Sequence, residues 1–145
     1  DLKLPYALKE VKPFTFGNCI GLNGRLWLND NLTKIGQYAF FNCTNVTGDV
    51  LLPDNLVSIE NGAFKNCRSL KTTLKINKKL NYVGTDAFFG CGNITNIDNS
   101  EAKSVTIEPR AFYVSNSVTT KISTPKETSF YEYNYFGDNR IVATY

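Results

Sequence analysis

Four cysteines, Cys19, Cys43, Cys67 and Cys91, recur every 24 residues and are the first candidates for chemistry. Their separation is neither the short paired spacing of a zinc ribbon nor a Cys-x-x-Cys redox motif. No histidine is present, which excludes Ser-His-Asp and Cys-His catalysis and His-ligated zinc. An equal period puts each cysteine at the same position of a repeated unit. Three states are open to such a column: reduced thiols in a core, disulfides between neighbouring units, or metal ligands. Strands of one sheet lie about 4.8 Å apart, close enough for bridging, but in-register neighbours have parallel Cα–Cβ vectors, which suit a disulfide poorly. Ser115 in the fifth place fits a small interior position. Reduced structural thiols are therefore expected, and no metal.

The acids offer little more. Asp49, Asp54, Glu60, Asp86, Asp98, Glu101 and Glu108 form no repeated or closely paired set. Glycoside hydrolysis needs two carboxylates about 5 to 9.5 Å apart across a sugar site. There is no Asp-x-Asp-x-Asp-Gly loop and no Gly-Gly-x-Gly-x-Asp repeat for calcium. These acids read as solvated surface groups, so no enzyme activity and no cofactor are expected. Four Asn-x-Ser/Thr sequons begin at Asn31, Asn42, Asn45 and Asn93. In a chain this rich in Asn and Thr chance matches occur, and Asn42 and Asn45 flank a core cysteine, so they are expected to be unmodified.

The elements that position the thiols follow from the same period. Phe16, Phe40, Phe64, Phe88 and Phe112 share the 24-residue spacing, which is the signature of a solenoid. Five residues before them stand Val11, Ile35, Ile59, Val83 and Ile107; immediately before them stand Thr15 and then four alanines. Six after them stand Leu22, Val46, Leu70, Ile94 and Val118. Farther on come the alternating pairs Leu26 and Leu28, Val50 and Leu52, Leu74 and Ile76, with Leu2 and Leu4 in this role at the start. Apolar-x-apolar closed by Pro5, Pro53 or Pro125 predicts a short strand, and identical strands one coil apart pair in parallel. The Ile-x-x-x-Ala-Phe-x-x-Cys run is apolar at i, i+4, i+5 and i+8, which predicts a short helical turn.

Ile-x-x-x-Ala-Phe-x-x-Cys-x-x-Leu followed by Leu-x-Leu-Pro resembles the BspA-like leucine-rich repeat family, over about residues 2–125. The resemblance implies an α/β leucine-rich-repeat solenoid, with short parallel strands on one wall, helical turns on the other and a right-handed superhelix. It also implies secretion or cell-surface display, with adhesion or protein recognition as the role. Two departures are visible. Three residues instead of two separate Leu22 from Leu26 and Val46 from Val50. After Ile94, Ile97 returns to the usual spacing, which predicts a weak strand at 95–98 and a protruding polar loop at 98–104.

The domain reading is repeats over 1–125 and an aromatic C-terminal cap over 126–145, which holds Phe130, Tyr131, Tyr133, Tyr135 and Phe136. The chain opens directly in a strand, so further repeats or another domain are expected before Asp1 in a larger protein. Strand alternation turns Arg25 and Trp27, Asp49 and Leu51, and Thr73 and Lys75 outward, and these six are the candidate ligand-binding residues. Trp and Arg are enriched in binding hot spots. The net charge of +3 is too weak to argue for nucleic acid, and no run of about 18 apolar residues exists to insert in a membrane. The expected partner is therefore a protein, host-surface or extracellular-matrix proteins included, met by a non-catalytic module in an extracellular or cell-surface setting. The alternative is a structural spacer within a larger multidomain protein.

Overall fold

The computed structural model describes residues 1–98, 105–113, 120–123, 129–130 and 141–144. Within them the chain order is β1 (Leu2–Lys3), β2 (Glu10–Val11), β3 (Leu26–Trp27), β4 (Lys34–Ile35), β5 (Ser58–Ile59), β6 (Lys71–Lys75), β7 (Tyr82–Val83), β8 (Asn93–Asp98), β9 (Thr106–Ile107), β10 (Thr120–Ser123), β11 (Ser129–Phe130) and β12 (Ile141–Thr144). Every pairing is parallel, as a coil repeated along an axis requires. One ladder runs β2-β4-β5-β7-β9-β11, and its register joins Val11 to Ile35, Ile35 to Ile59, Ile59 to Val83 and Val83 to Ile107. The opposite wall is divided into β1-β3 and β6-β8-β10-β12. The molecule is thus a β-solenoid.

The phenylalanine column fills the space between the walls. Successive rings from Phe16 to Phe112 stack at centroid distances of 5.1, 5.2, 5.1 and 5.5 Å and are nearly coplanar in orientation. Phe40, Phe64, Phe88 and Phe112 are fully buried, whereas Phe16 in the first coil is half-buried. Such pairs add about 0.5–1.5 kcal/mol beyond their buried area. A second buried column, Leu32, Leu56 and Leu80, was open to the same periodic reading, eight residues before each phenylalanine.

Helical turns are not what the Ala-Phe-x-x-Cys run adopts: no helix is present among the described residues. The amides explain why. Tyr38, Phe40 and Asn42 donate to the carbonyls of Asn61, Ala63 and Lys65 in the next coil. The residues between them look inward, with Ala39, Phe41 and Cys43 donating to Gly36, Tyr38 and Phe40, three positions back. A helix needs each amide for the carbonyl four residues back, so exporting every second one forbids it. The alternation is made possible by left-handed backbone on both sides of Phe16, Phe40, Phe64 and Phe88, and before Phe112. Phe14, Tyr38, Gly62, Asp86 and Arg110 have φ between 52° and 62°, and Asn18, Asn42, Asn66 and Gly90 between 57° and 66°.

Asparagine tolerates that conformation better than most residues, and here it also bonds along the axis. Asn42 Nδ2 donates to Asn18 Oδ1 at 2.9 Å, and Asn66 Nδ2 to Asn42 Oδ1 at 3.0 Å. At Gly90 the ladder stops, because a Cβ there would lie 2.6 Å from Asn66 Oδ1. The strand-closing position likewise alternates Pro5, Asn29, Pro53, Asn77. Each asparagine donates Nδ2 to the proline carbonyl one coil before it, at 2.8 and 2.7 Å. Among the sequons, the Nδ2 groups of Asn31, Asn42 and Asn45 are all spent on protein oxygens.

The strand expected to be weak is instead six residues long, Asn93–Asp98. Ile94 and Ile97 are both fully buried although three residues apart, which a period of two cannot give. A register shift opposite Thr72 and Thr73 absorbs the extra residue, Thr95. Of the polar loop expected at 98–104, Asp98 ends this strand and 99–104 lie outside the described residues, as does most of the aromatic segment. That segment's described ends add strands to the two walls, β11 on β9 and β12 on β10.

The cysteines are free. Cys43, Cys67 and Cys91 are buried, and their thiols donate to the carbonyls of Phe16, Phe40 and Phe64 in the preceding coil, at 3.1, 3.1 and 3.0 Å. Burial, with the Cys67 and Cys19 sulfurs adding to it, pushes the Cys43 thiol from 9.0 up to about 12. The neighbouring Cys91 thiol, and then burial, raise Cys67 as well.

Two expected outcomes follow from this core. Phe64→Ala should cost about 3–5 kcal/mol in urea unfolding, and Phe16→Ala clearly less; equal costs would contradict a core that is open at the first coil. For the thiols, the unfolded chain releases protons near pH 9 while folded Cys43 holds its own to about 12. Stability should therefore be full below pH 9 and fall as pH rises from 9 to 12, by at most about 1.4 kcal/mol per pH unit per thiol. Urea midpoints across that range should fall less steeply in Cys43→Ala, and Ellman titration of the denatured chain without reductant should return all four thiols.

Candidate functional site

The division of one wall locates the site. Gly24 and Gly48 sit at φ +81° and make only isolated bridges, to Val46 and Leu70. The equivalent residue one coil later is Thr72, and there a continuous strand runs from Lys71 to Lys75. Glycine in the left-handed region breaks an extended ladder, whereas a β-branched threonine supports it. Past Gly48, Val50–Leu52 keeps the in-and-out alternation but forms no strand, unlike Leu26–Trp27 past Gly24, which pairs with β1. Val50 is buried, and Leu51 is 70% exposed.

The result is a hollow of about 710 Å³ where β3 should meet its neighbour. Arg25, Trp27, Asp49 and Leu51, four of the six candidate residues, line it together. Trp27 is 42% exposed, with the Arg25 guanidinium 5.8 Å from its ring centroid. Leu28, Leu52 and Pro53 supply the rest of the apolar lining. Thr73 and Lys75 do not belong to it: they stand on β6, in the other part of the wall. Asp30, Asp54 and Asn55 were missed. Their signal was present in the 24-residue spacing of Asp30 to Asp54, but they follow the strand, where alternation predicts nothing.

Two of the remaining acids, Asp86 and Glu60, have structural partners. Asp86, 5% exposed, takes a two-pronged bond from Arg110 (Nε to Oδ1 2.7 Å, Nη2 to Oδ2 2.8 Å) and one from Lys65 at 2.9 Å. Both cations also lie over the Phe89 ring, which stacks on Tyr113 at 4.8 Å. That arrangement ties three coils together. Glu60 pairs with Lys34 at 3.2 Å. Among the described residues no group of three or more His, Cys, Asp or Glu side chains could hold a metal ion, and no helix is long and apolar enough to cross a membrane.

Stacked parallel ladders closed around one repeated interior, with a hollow on the outer strand face, define a solenoid repeat module. The chain belongs to the BspA-type leucine-rich repeat region family, whose model matches six copies over residues 1–48 and 48–143. No curated protein and no solved structure matches it.

Trp27 is the single tryptophan, so its fluorescence reports on the hollow alone. Its emission should be quenched by acrylamide in the folded protein, and Arg25→Ala should raise the quenching constant by uncovering the ring. Unchanged quenching in the variant would show that the guanidinium does not cover the indole.

Proposed function

We propose that the chain is a non-catalytic protein-binding module, working outside the cell or at its surface, and that its ligand seats on the hollow around Trp27 and Leu51. The observation that carries this reading is the exposure of a tryptophan and a leucine side by side where the wall is interrupted. Repeats of this family suggest a module for protein interaction, and adhesion is the role that fits a surface setting. Covering the two side chains removes on the order of 200 Å² of apolar surface, about 5 kcal/mol gross at 25 cal/mol per Å². Loss of translational and side-chain freedom offsets part of it. The non-catalytic reading is supported by the lack of histidine and by the two cations that hold the buried Asp86.

The test is a binding screen of the chain against immobilised extracellular-matrix and cell-surface proteins, repeated with Trp27→Ala and Leu51→Ser. Both side chains point to solvent, so circular dichroism should be unchanged. Affinity for any captured protein should drop by about tenfold or more, the size expected of a hot-spot residue. Retained affinity in both variants would remove the hollow from consideration.

A further inference from the structure

We infer that the hollow takes a basic, extended segment of a partner protein, an inference that rests on the hollow being the binding face. Its charge runs against that of the whole chain. The protein carries +3, yet Asp30, Asp49 and Asp54 all line the hollow. All three are exposed, and the ion pairs of the described residues use other acids: Glu10, Glu60 and Asp86. The one cation of the lining, Arg25, is laid over Trp27. Three unpaired carboxylates around an apolar floor attract cationic side chains and repel phosphates, which sets nucleic acid and anionic lipid apart from this face.

The backbone supplies the second half of the argument. Elsewhere on this wall, coils bond to each other through main-chain groups: Leu2 and Leu4 donate to the carbonyls of Arg25 and Trp27. Among the described residues no hydrogen bond engages the backbone of Leu28, Asp49, Leu51 or Leu52. These donors and acceptors stand beside an already extended segment with alternating side chains. An added strand can satisfy them, which is how extended peptides join sheet edges. Its outward side chains would then lie beside Trp27 and Leu51 and within reach of the carboxylates around them. The volume, about 710 Å³, is within the usual range of ligand sites.

Three fluorescein-labelled nonapeptides test this by anisotropy: alternating Lys and Val, alternating Glu and Val, and the Lys/Val peptide with every second amide N-methylated. The Lys/Val peptide should bind, more weakly as salt is raised. The Glu/Val peptide should not bind, and N-methylation should weaken binding about tenfold or more by removing the ladder donors. The Asp49→Asn/Asp54→Asn chain should bind the Lys/Val peptide about three- to tenfold more weakly, as expected for two exposed charge pairs. Absence of Lys/Val binding, equal binding of Glu/Val, indifference to N-methylation, or no change in the double variant overturns the inference. The inference fails separately from the proposed function: if Trp27→Ala abolishes capture of a protein in the screen while the Lys/Val peptide does not bind, the hollow stands and the basic extended ligand falls.

Discussion

The export of every second amide from the turn around each phenylalanine is the interaction on which the rest of this solenoid depends. Phe40 gives its N–H to Ala63, and Phe64 gives its own to Ala87. A chain that hands its donors to the next coil cannot close a helix. It must place left-handed residues at the exporting positions that flank the phenylalanine, and it must repeat its length so that the acceptors arrive in phase. The ring stacking at 5.1 to 5.5 Å follows, since rings one coil apart take the spacing that the amide ladder sets. The thiols follow too. The Phe40 carbonyl faces the next coil, where the Cys67 thiol meets it, and a hydrogen-bonded thiol has no call to bridge its neighbour.

Left-handed backbone costs most residues about 1–2 kcal/mol, and the offsets differ from coil to coil. At Phe14 and Tyr38 the rings stack at 5.2 Å. At Gly62 there is no side chain, and the Tyr38 ring occupies the space that a Cβ would need. At Asp86 and Arg110 the bond is ionic and two-pronged. On the far side of the phenylalanine, Asn18, Asn42 and Asn66 turn the same constraint into an amide ladder. One backbone requirement has thus been met in four chemical ways, so this column looks irregular in the sequence while remaining uniform in φ.

The hollow arises where the rule of repetition is relaxed. Gly24 and Gly48 spend their extended geometry on a bend, and Thr72 does not. The strand wall therefore divides between the second and fourth coils, and the main-chain groups of Leu28, Asp49, Leu51 and Leu52 have no bond among the described residues. A side chain exposed on a continuous sheet is an ordinary surface feature. A tryptophan and a leucine exposed at an unpaired edge, with three acids around them, form a place that a chain can enter.

Much of this was determined by sequence alone. The 24-residue period specified a stacked coil, the Phe, Ala and Cys columns specified its interior, and strand alternation turned Arg25, Trp27, Asp49 and Leu51 outward, as they stand. The periodic reading failed where apolar spacing suits two conformations. Ile59, Ala63, Phe64 and Cys67 mark one face of a helix as well as they mark the inside of a turn, and only the identity of the amide acceptor separates them. That acceptor lies in another coil, so tertiary structure decided it. Tertiary structure likewise separated Thr73 and Lys75 from the site and brought in Asp30 and Asp54, because a break in a ladder is a relation between coils. Side-chain pattern reports which way a residue points; which backbone groups remain unpaired depends on what its neighbour does.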